Sequence, residues 1–530
     1  MISVKNPIIS GFYPDPSICR VEGDYYLVNS SFAYFPGIPI FHSRDLANWK
    51  QIGNAINRVE QVDLKECSVS EGIFAPTIRY HNGLFYIITT NVPNGGNFII
   101  TATEPAGPWS NACYLGEEAP GIDPSLFFDD DGKAYYVGTR PNQDGERYFG
   151  DWEIWIREID IEKMVLTGTS TVIWKGAMQN AIWPEGPHLY KKDSYYYLLT
   201  AEGGTEENHC IMVARAKEIL GEYEGYPKNP LFTHRHLGQE YPIQSVGHGD
   251  FVESAKGDWY LVMLGMRPVC GVTSLGRETF LAKVTWENNW PVVNRGSGKL
   301  EDTVSLPEPD CTIHKALKRE SENKKVRKEF EIQGFTQGRL NHSLVTLGGA
   351  NLDDLFESRN GWLRVKASCK DFKQGKPISI LGVRQKDYKF SIRTKMEFDS
   401  KDDSAKAGLV LFQNETSHLT IYKRHHEDGY LLCIEATQGK KVEVIARTMI
   451  CEGAIELKMD ALNQKAEVLF RYDEDETFHV LARQIDLCPY STEFAGGFVG
   501  CVLGIFVIGD SEKITANFKH LIYEANAEID

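Results

Sequence analysis

Four side chains in this sequence could carry chemistry together: Asp15, Asp123, Glu185 and His248, opening the motifs Asp-Pro-Ser, Asp-Pro-Ser, Glu-Gly-Pro and His-Gly-Asp. Carboxyl groups gathered in one restricted space repel when ionised, so at least one of them must keep its proton. A protonated and an ionised carboxyl side by side are what general acid–base catalysis uses. Taken singly, each residue says little, because Asp before Pro is a common turn former. The run Asp129-Asp130-Asp131-Gly132 makes the point: it reads as a hairpin turn and lacks the further ligands of a calcium loop.

A repeat is what brings these residues to one place. The segments beginning Asp15-Pro-Ser-Ile, Ala75-Pro-Thr-Ile, Asp123-Pro-Ser-Leu, Glu185-Gly-Pro-His and His248-Gly-Asp-Phe each read as a strand, a tight turn and an aromatic second strand. Their leading residues lie 60, 48, 62 and 63 positions apart. Five such units predict a five-bladed β-propeller, each blade a small antiparallel sheet packed on its neighbours. The repeated hairpin becomes the inner strand pair of every blade. Asp15, Ala75, Asp123, Glu185 and His248 then share one radial depth and face the central channel, with the three acids within roughly ten ångströms of one another. Two carboxylates ~6.5–9.5 Å apart leave room for a water against a sugar, as in an inverting glycosidase.

The rest of the chain agrees with an all-β protein. Runs rich in Tyr, Val, Ile, Phe and Thr alternate with Gly, Pro, Asn and Asp turns, and helical patterns are nearly absent. Residues 316–329 are a charged stretch that reads as a solvated linker. The expected division is a propeller over 1–312, a linker over 313–330 and a β-sandwich of jelly-roll type over 331–530. The apolar run Gly496–Gly509 is fourteen residues long and broken by glycines, so it reads as a buried strand pair rather than a membrane span.

Composition narrows the partners. Lys and Arg number 57 against 73 Asp and Glu, a net charge of −16 with no basic stripe, which argues against nucleic acid and anionic membrane. The 26 Phe, 24 Tyr and 10 Trp suit a β-rich core and sugar-stacking surfaces. Eleven scattered cysteines without a CxxC spacing predict free thiols in a reducing compartment. The opening MISVKNPIISGFYPDPS has no basic region followed by an apolar run, which points to the cytoplasm, or to the periplasm or secretion where a signal has been removed.

Nine ordered motifs resemble glycoside hydrolase family 43, among them Gly11-Phe-Tyr-Pro-Asp-Pro-Ser-Ile18, Asn29-Ser-Ser-Phe32, Ser43-Arg-Asp-Leu-Ala-Asn-Trp49, Gly121-Ile-Asp-Pro-Ser125, Glu185-Gly-Pro-His-Leu-Tyr190, Gly247-His-Gly-Asp250 and Leu275-Gly-Arg-Glu278. Leu381-Gly-Val-Arg-Gln385 and Gly496-Gly-Phe-Val-Gly500 extend the likeness into the sandwich of the two-domain β-xylosidase-like members. The resemblance, not the spacing, implies the roles. Asp15 would be the general base, Glu185 the general acid, and Asp123 the group that orients Glu185 and keeps it protonated. Arg277 would reach sugar hydroxyls and Asp123, a surface arginine paired with Glu278 being the alternative. Phe32, Phe74 and Trp183 would wall the sugar, with blade packing as the rival role for the two phenylalanines. His248 would line the channel, either hydrogen-bonded or holding a calcium ion through waters.

The departures concern the pocket wall. Gly138–Arg147, continuing to Trp152, is unlike the stretch found in typical xylosidases, Phe74 stands where tryptophan is common, and Val502 stands where a phenylalanine often closes the pocket. The implied activity is an exo-acting, inverting glycosidase that removes a terminal pentose from xylo- or arabino-oligosaccharides, β-D-xylosidase first and α-L-arabinofuranosidase second. The chemistry would need no cofactor, and a homo-oligomer is left open. A carbohydrate-binding propeller without catalysis and a retaining, fructan-cleaving type of propeller are the alternatives.

Overall fold

The computed structural model describes residues 2–307, 330–333, 341–349, 352–368, 371–373, 378–427 and 429–525. The expected linker 313–330 therefore lies outside the described residues, except for Phe330 at the start of a strand. Among the described residues the first part of the chain forms five four-stranded sheets arranged as a five-bladed propeller. The inner strands begin at Ser17, Gly72, Ile122, Glu185 and Gln244, so the five units match the five repeats.

Local chemistry explains the hairpins. His81 pairs with Leu84 across Asn82-Gly83, whose φ values of 49° and 83° suit the twist of a two-residue turn. Lys192 and Tyr195 are joined in the same way across Asp193-Ser194, at 49° and 65°. The second strand of each hairpin contributes core residues, with Leu27, Ile87, Val137, Leu198 and Leu261 at most 1 % exposed. Aromatic and β-branched residues fill the wedges between blades.

At their channel ends the inner strands are irregular. Register shifts fall between Phe74 and Thr77, Ile122 and Ser125, Glu185 and His188, and Gly247 and Gly249. Such bulges re-aim a side chain away from the sheet face, which is how a strand can present a group to the axis.

The ring closes with both ends of its own chain. Ile2–Lys5 pairs antiparallel with Thr303–Leu306, and the Asn29 amide donates to the carbonyls of Tyr13 and Pro14 and to Thr279 Oγ1. Deeper in the hub, Asp250 is fully buried and accepts hydrogen bonds from Ser17 Oγ (2.7 Å), the Ile18 N–H (3.0 Å), Arg79 Nη1 (2.8 Å) and the Tyr190 hydroxyl. Blades one, two, four and five meet on that carboxylate. Burial pushes its pKa up, but Arg79 above all holds it down, at about 2.

The second part is a sandwich of two eight-stranded sheets, its core filled by residues such as Phe390, Leu409, Leu457, Leu503 and Phe518. One edge strand of the sandwich comes from the propeller: Tyr34–Phe35, inside blade one, pairs with Val345–Leu347. The run Gly496–Gly509 corrects the expectation of a strand pair. It is one strand, Val502–Ile508, preceded by a glycine-rich loop that leaves the sandwich for the propeller. The nine described cysteines are all free, and no described helix is long and apolar enough to cross a membrane.

Removing one partner of a buried ion pair leaves an uncompensated charge, costing about 3–5 kcal/mol. Arg79→Met, which strands Asp250, should therefore lower the denaturant midpoint markedly; a loss under about 1 kcal/mol would mean that the hub does not depend on this pair.

Candidate active site

One cavity of about 100 Å³ opens at the channel mouth, and Asp15, Asp123, Glu185, His248 and Arg277 all line it. The repeat thus brings the three acids together as its periodicity requires, with one correction of register. The backbone at the entry to each blade turns left-handed, at φ 51° for Asp15, 32° for Ala75, 51° for Asp123 and 38° for His248. In blade four the residue with that conformation is Gly186, at 56°, not Glu185. Glu185 stands one position earlier, so the acid reaches the cavity from a different backbone site than Asp15 and Asp123. Gly186 is required there: a Cβ would lie 2.9 Å from His248 Cε1.

Electrostatics separate the three carboxyls. Asp15 accepts hydrogen bonds from Ser30 Oγ (2.6 Å) and Arg277 Nη1 (3.2 Å), and His248 Nδ1 lies 3.8 Å from the same carboxylate. Burial pushes its pKa up, but Arg277, His248 and Ser30 outweigh burial and hold it below the ordinary aspartate value. Glu185 is driven the other way. Burial, then the charges of Asp123 and Asp15, raise it well above the ordinary glutamate value, and Arg277 only partly opposes them. Asp123 is also raised, chiefly by burial, while the Gly186 N–H donates to its Oδ2 at 3.1 Å. The cavity therefore holds an ionised acid and a protonated one at the same pH.

Arg277 bonds Asp15, neither Asp123 as the resemblance implied nor Glu278 as the surface alternative required. Glu278 is taken instead by Arg267, Nε to Oε2 at 2.6 Å. Phe32 and Phe74 prove to be both wall and packing. Each lines the cavity, their centroids are 5.1 Å apart, and both belong to the cluster shared with the sandwich. Trp183 does not line the cavity; its ring covers Gly204, where a Cβ would come within 3.0 Å.

Four wall residues were not foreseen, Ile122 beside Asp123 being the first. Thr205 and His209 come from the turn after the second strand of blade four. His209 donates its Nδ1–H to the Ser245 carbonyl at 3.1 Å; burial drives its pKa down to about 3, so the ring stays neutral. Phe498 arrives from the sandwich and lines the cavity, which corrects the reading of Val502 as the place where a closing phenylalanine is missing. Val502 itself is buried in the strand behind, paired with Arg384. Phe498 stacks 6.2 Å from Phe32, and its N–H donates to Ser70 Oγ at 3.0 Å. The approach needs glycine on both sides, for a Cβ on Gly500 would lie 2.5 Å from Leu275 C and one on Gly276 would lie 2.7 Å from Gly500 N.

Among the described residues no group of three or more His, Cys, Asp or Glu is placed to hold a metal ion. His248 faces Asp15, whose charge Arg277 already balances, so the site does not present a direct ligand set for calcium.

Two family models account for most of the chain. Glycosyl hydrolases family 43 matches residues 4–291, and the beta xylosidase C-terminal Concanavalin A-like domain matches residues 333–524. The chain belongs to glycosyl hydrolase family 43. It is 50% identical over 532 residues to a xylosidase/arabinosidase of Butyrivibrio fibrisolvens, covering 100% of both chains. A non-reducing end alpha-L-arabinofuranosidase of Bacteroides ovatus is 34% identical over 96% of this chain and 92% of its own. Among solved structures, a xylan beta-1,4-xylosidase from Bacillus halodurans superposes with a TM-score of 0.89 at 33% identity, covering 98% of this chain and 100% of that one. The family membership makes the protein a glycosidase.

Gly186→Ala tests the geometry of this family 43 site. The left-handed conformation should cost the fold only about 1–2 kcal/mol, while displacement of His248 should lower turnover by ~10²-fold. Full activity in a folded Gly186→Ala protein would show that the contact with His248 has no bearing on the chemistry.

Proposed function

We propose that this protein is an exo-acting, inverting glycosidase that releases a terminal pentose from xylo- or arabino-oligosaccharides, β-D-xylosyl residues first and α-L-arabinofuranosyl residues second. The observation that carries the reading is the split ionisation within one small cavity: Asp15 held ionised, Glu185 held protonated. In this mechanism Asp15 takes a proton from a water as its oxygen bonds to the anomeric carbon. Glu185 gives its proton to the departing glycosidic oxygen as the old bond breaks. Asp123 contributes through charge, keeping the proton on Glu185, and through its bond to the Gly186 N–H it fixes the strand end that carries the acid.

Exo action follows from the wall. Phe32, Phe74 and Phe498 pack against one another along a cavity of about 100 Å³, which supports one terminal ring rather than a continuing chain. Apolar ring faces with a few convergent polar groups are the usual make-up of a sugar site. The names of the relatives from Butyrivibrio fibrisolvens and Bacillus halodurans support xylose as first choice, and that from Bacteroides ovatus supports arabinofuranose as second. Neither acid, base nor water calls for a cofactor.

Asp15→Asn and Glu185→Gln should each lower turnover of nitrophenyl β-xyloside by at least ~10²–10⁴-fold with folding intact. Proton NMR should detect α-xylose as the first product of a β-xyloside; β-xylose appearing first would replace the inverting mechanism with a retaining one.

The pH dependence has a fixed sign. Activity is lost on the acid side as Asp15 protonates, and on the alkaline side as Glu185 ionises. Asp123→Asn removes one of the charges that raise Glu185, so Glu185 ionises at lower pH and the alkaline limb of kcat/KM should move down. An alkaline limb that stays in place, or moves up, contradicts the role given to Asp123.

A further inference from the structure

Next to the cavity, on the flank of Glu185, two loops build an aromatic ridge that the hydrolytic groups do not use. One loop, residues 142–151, joins the second and third strands of blade three; the other, 175–184, leads out of blade three into Glu185. They are tied together: Tyr148 Oη donates to the Ala181 carbonyl at 2.9 Å, and the Trp183 N–H donates to the Gly150 carbonyl at 2.8 Å. The first loop is braced from within by the buried Asp151, which accepts from Arg147 Nε (2.8 Å), Arg147 Nη2 (2.9 Å) and the Arg147 N–H (3.0 Å). Gly150 allows the contact, since a Cβ there would stand 3.2 Å from Trp183 Nε1.

This bracing holds one large apolar ring in water. Phe149 is 79% exposed, with its ring edge-on to Trp183 at 4.9 Å, and Met178 on the second loop is 64% exposed. A single exposed apolar residue needs no explanation, but an exposed ring seated on a second ring, on a braced backbone beside a binding cavity, marks a contact surface. Its position says which part of a substrate it meets. Trp183 lies two residues before Glu185 and covers Gly204, the neighbour of the cavity-lining Thr205. The glycosidic oxygen must sit at the proton of Glu185, so the group attached to that oxygen leaves the cavity past the start of this strand. The C–H face of a pyranose is flat and apolar, and a phenyl ring without polar atoms can bind it without reading its hydroxyls.

We propose that Phe149, seated edge-on against Trp183, is the platform for the sugar on the leaving-group side of the scissile bond. The assignment rests on Glu185 being the general acid, because that fixes the side on which the leaving group departs. The test compares xylobiose, whose leaving group is a sugar, with β-xylosyl fluoride, whose leaving group is one atom. Phe149→Ala, at an exposed position that folding does not need, should lower kcat/KM on xylobiose about tenfold and leave that on the fluoride within about twofold. Phe149→Tyr, which keeps the ring, should retain activity on xylobiose. Equal losses on both substrates, or none on xylobiose, would overturn the platform while leaving the hydrolytic assignment standing. Wild-type protein inert toward both substrates would overturn that assignment, and the platform with it.

Discussion

The contact between Arg277 and Asp15 is the interaction on which the site depends. Burial alone would push every carboxyl in the cavity upward and leave no ionised base at mild pH. Arg277, with His248 and Ser30, reverses that effect for Asp15 and only softens it for Glu185. The pair also spans the seam of the ring, since Asp15 opens blade one and Arg277 precedes the third strand of blade five. The backbone on both sides is fastened across the same seam, with the Tyr13 N–H donating to the Arg277 carbonyl at 3.0 Å and the Gly11 N–H to Glu278 Oε1 at 2.8 Å. Closing the ring and setting the charge of Asp15 are thus one structural event.

The sandwich takes part in that event. Its strand Ile378–Arg384 places Arg384, 1% exposed, over the rings of Phe12 and Tyr13 at 5.0 and 4.8 Å. Those residues immediately precede Pro14 and Asp15. Tyr34–Phe35 joins the sandwich sheet directly after Phe32, so the aromatic wall is held between a propeller strand and a sandwich strand. With Phe498 added from the sandwich, a ring bound in the cavity would touch both domains, and the propeller alone would leave its pocket without that third ring.

How much of this was legible in the sequence follows from what kind of signal each feature leaves. Blades leave a strong one, because short strands rich in aromatic and β-branched residues, joined by compact turns such as Asn82-Gly83 and Asp193-Ser194, recur in each of the five units. The convergence of Asp15, Asp123 and Glu185 followed from that periodicity. The one-residue offset of Glu185 was present but masked: aligning the motifs on their prolines sets Gly186 beside Asp15, Ala75 and Asp123, whereas aligning them on chemistry sets Glu185 there. Thr205 and His209 leave no periodic trace, since a turn residue is placed by the loop's path and not by a strand register. Phe498 sat inside a motif already noticed, Gly496-Gly-Phe-Val-Gly500. Its glycines signalled close backbone approach, but which neighbour they approach is a fact of domain docking that local sequence does not encode.

The hub contains a control for the chemistry in Asp250, two residues beyond His248 and as buried as the acids of the site. Its two oxygens are occupied by Arg79, Ser17, the Ile18 N–H and Tyr190, four donors from three other blades. A carboxylate so saturated has a lowered pKa and no lone pair to offer, so it can hold the ring together and cannot take a proton from water. Asp15 has a lowered pKa as well, but it faces a cavity and its partners hold it from one side. The two aspartates show that a depressed pKa does not by itself distinguish a base from a strut. What distinguishes them is whether a direction is left open toward space that a substrate can enter, and in this ring that space is the cavity lined by Phe32, Phe74 and Phe498.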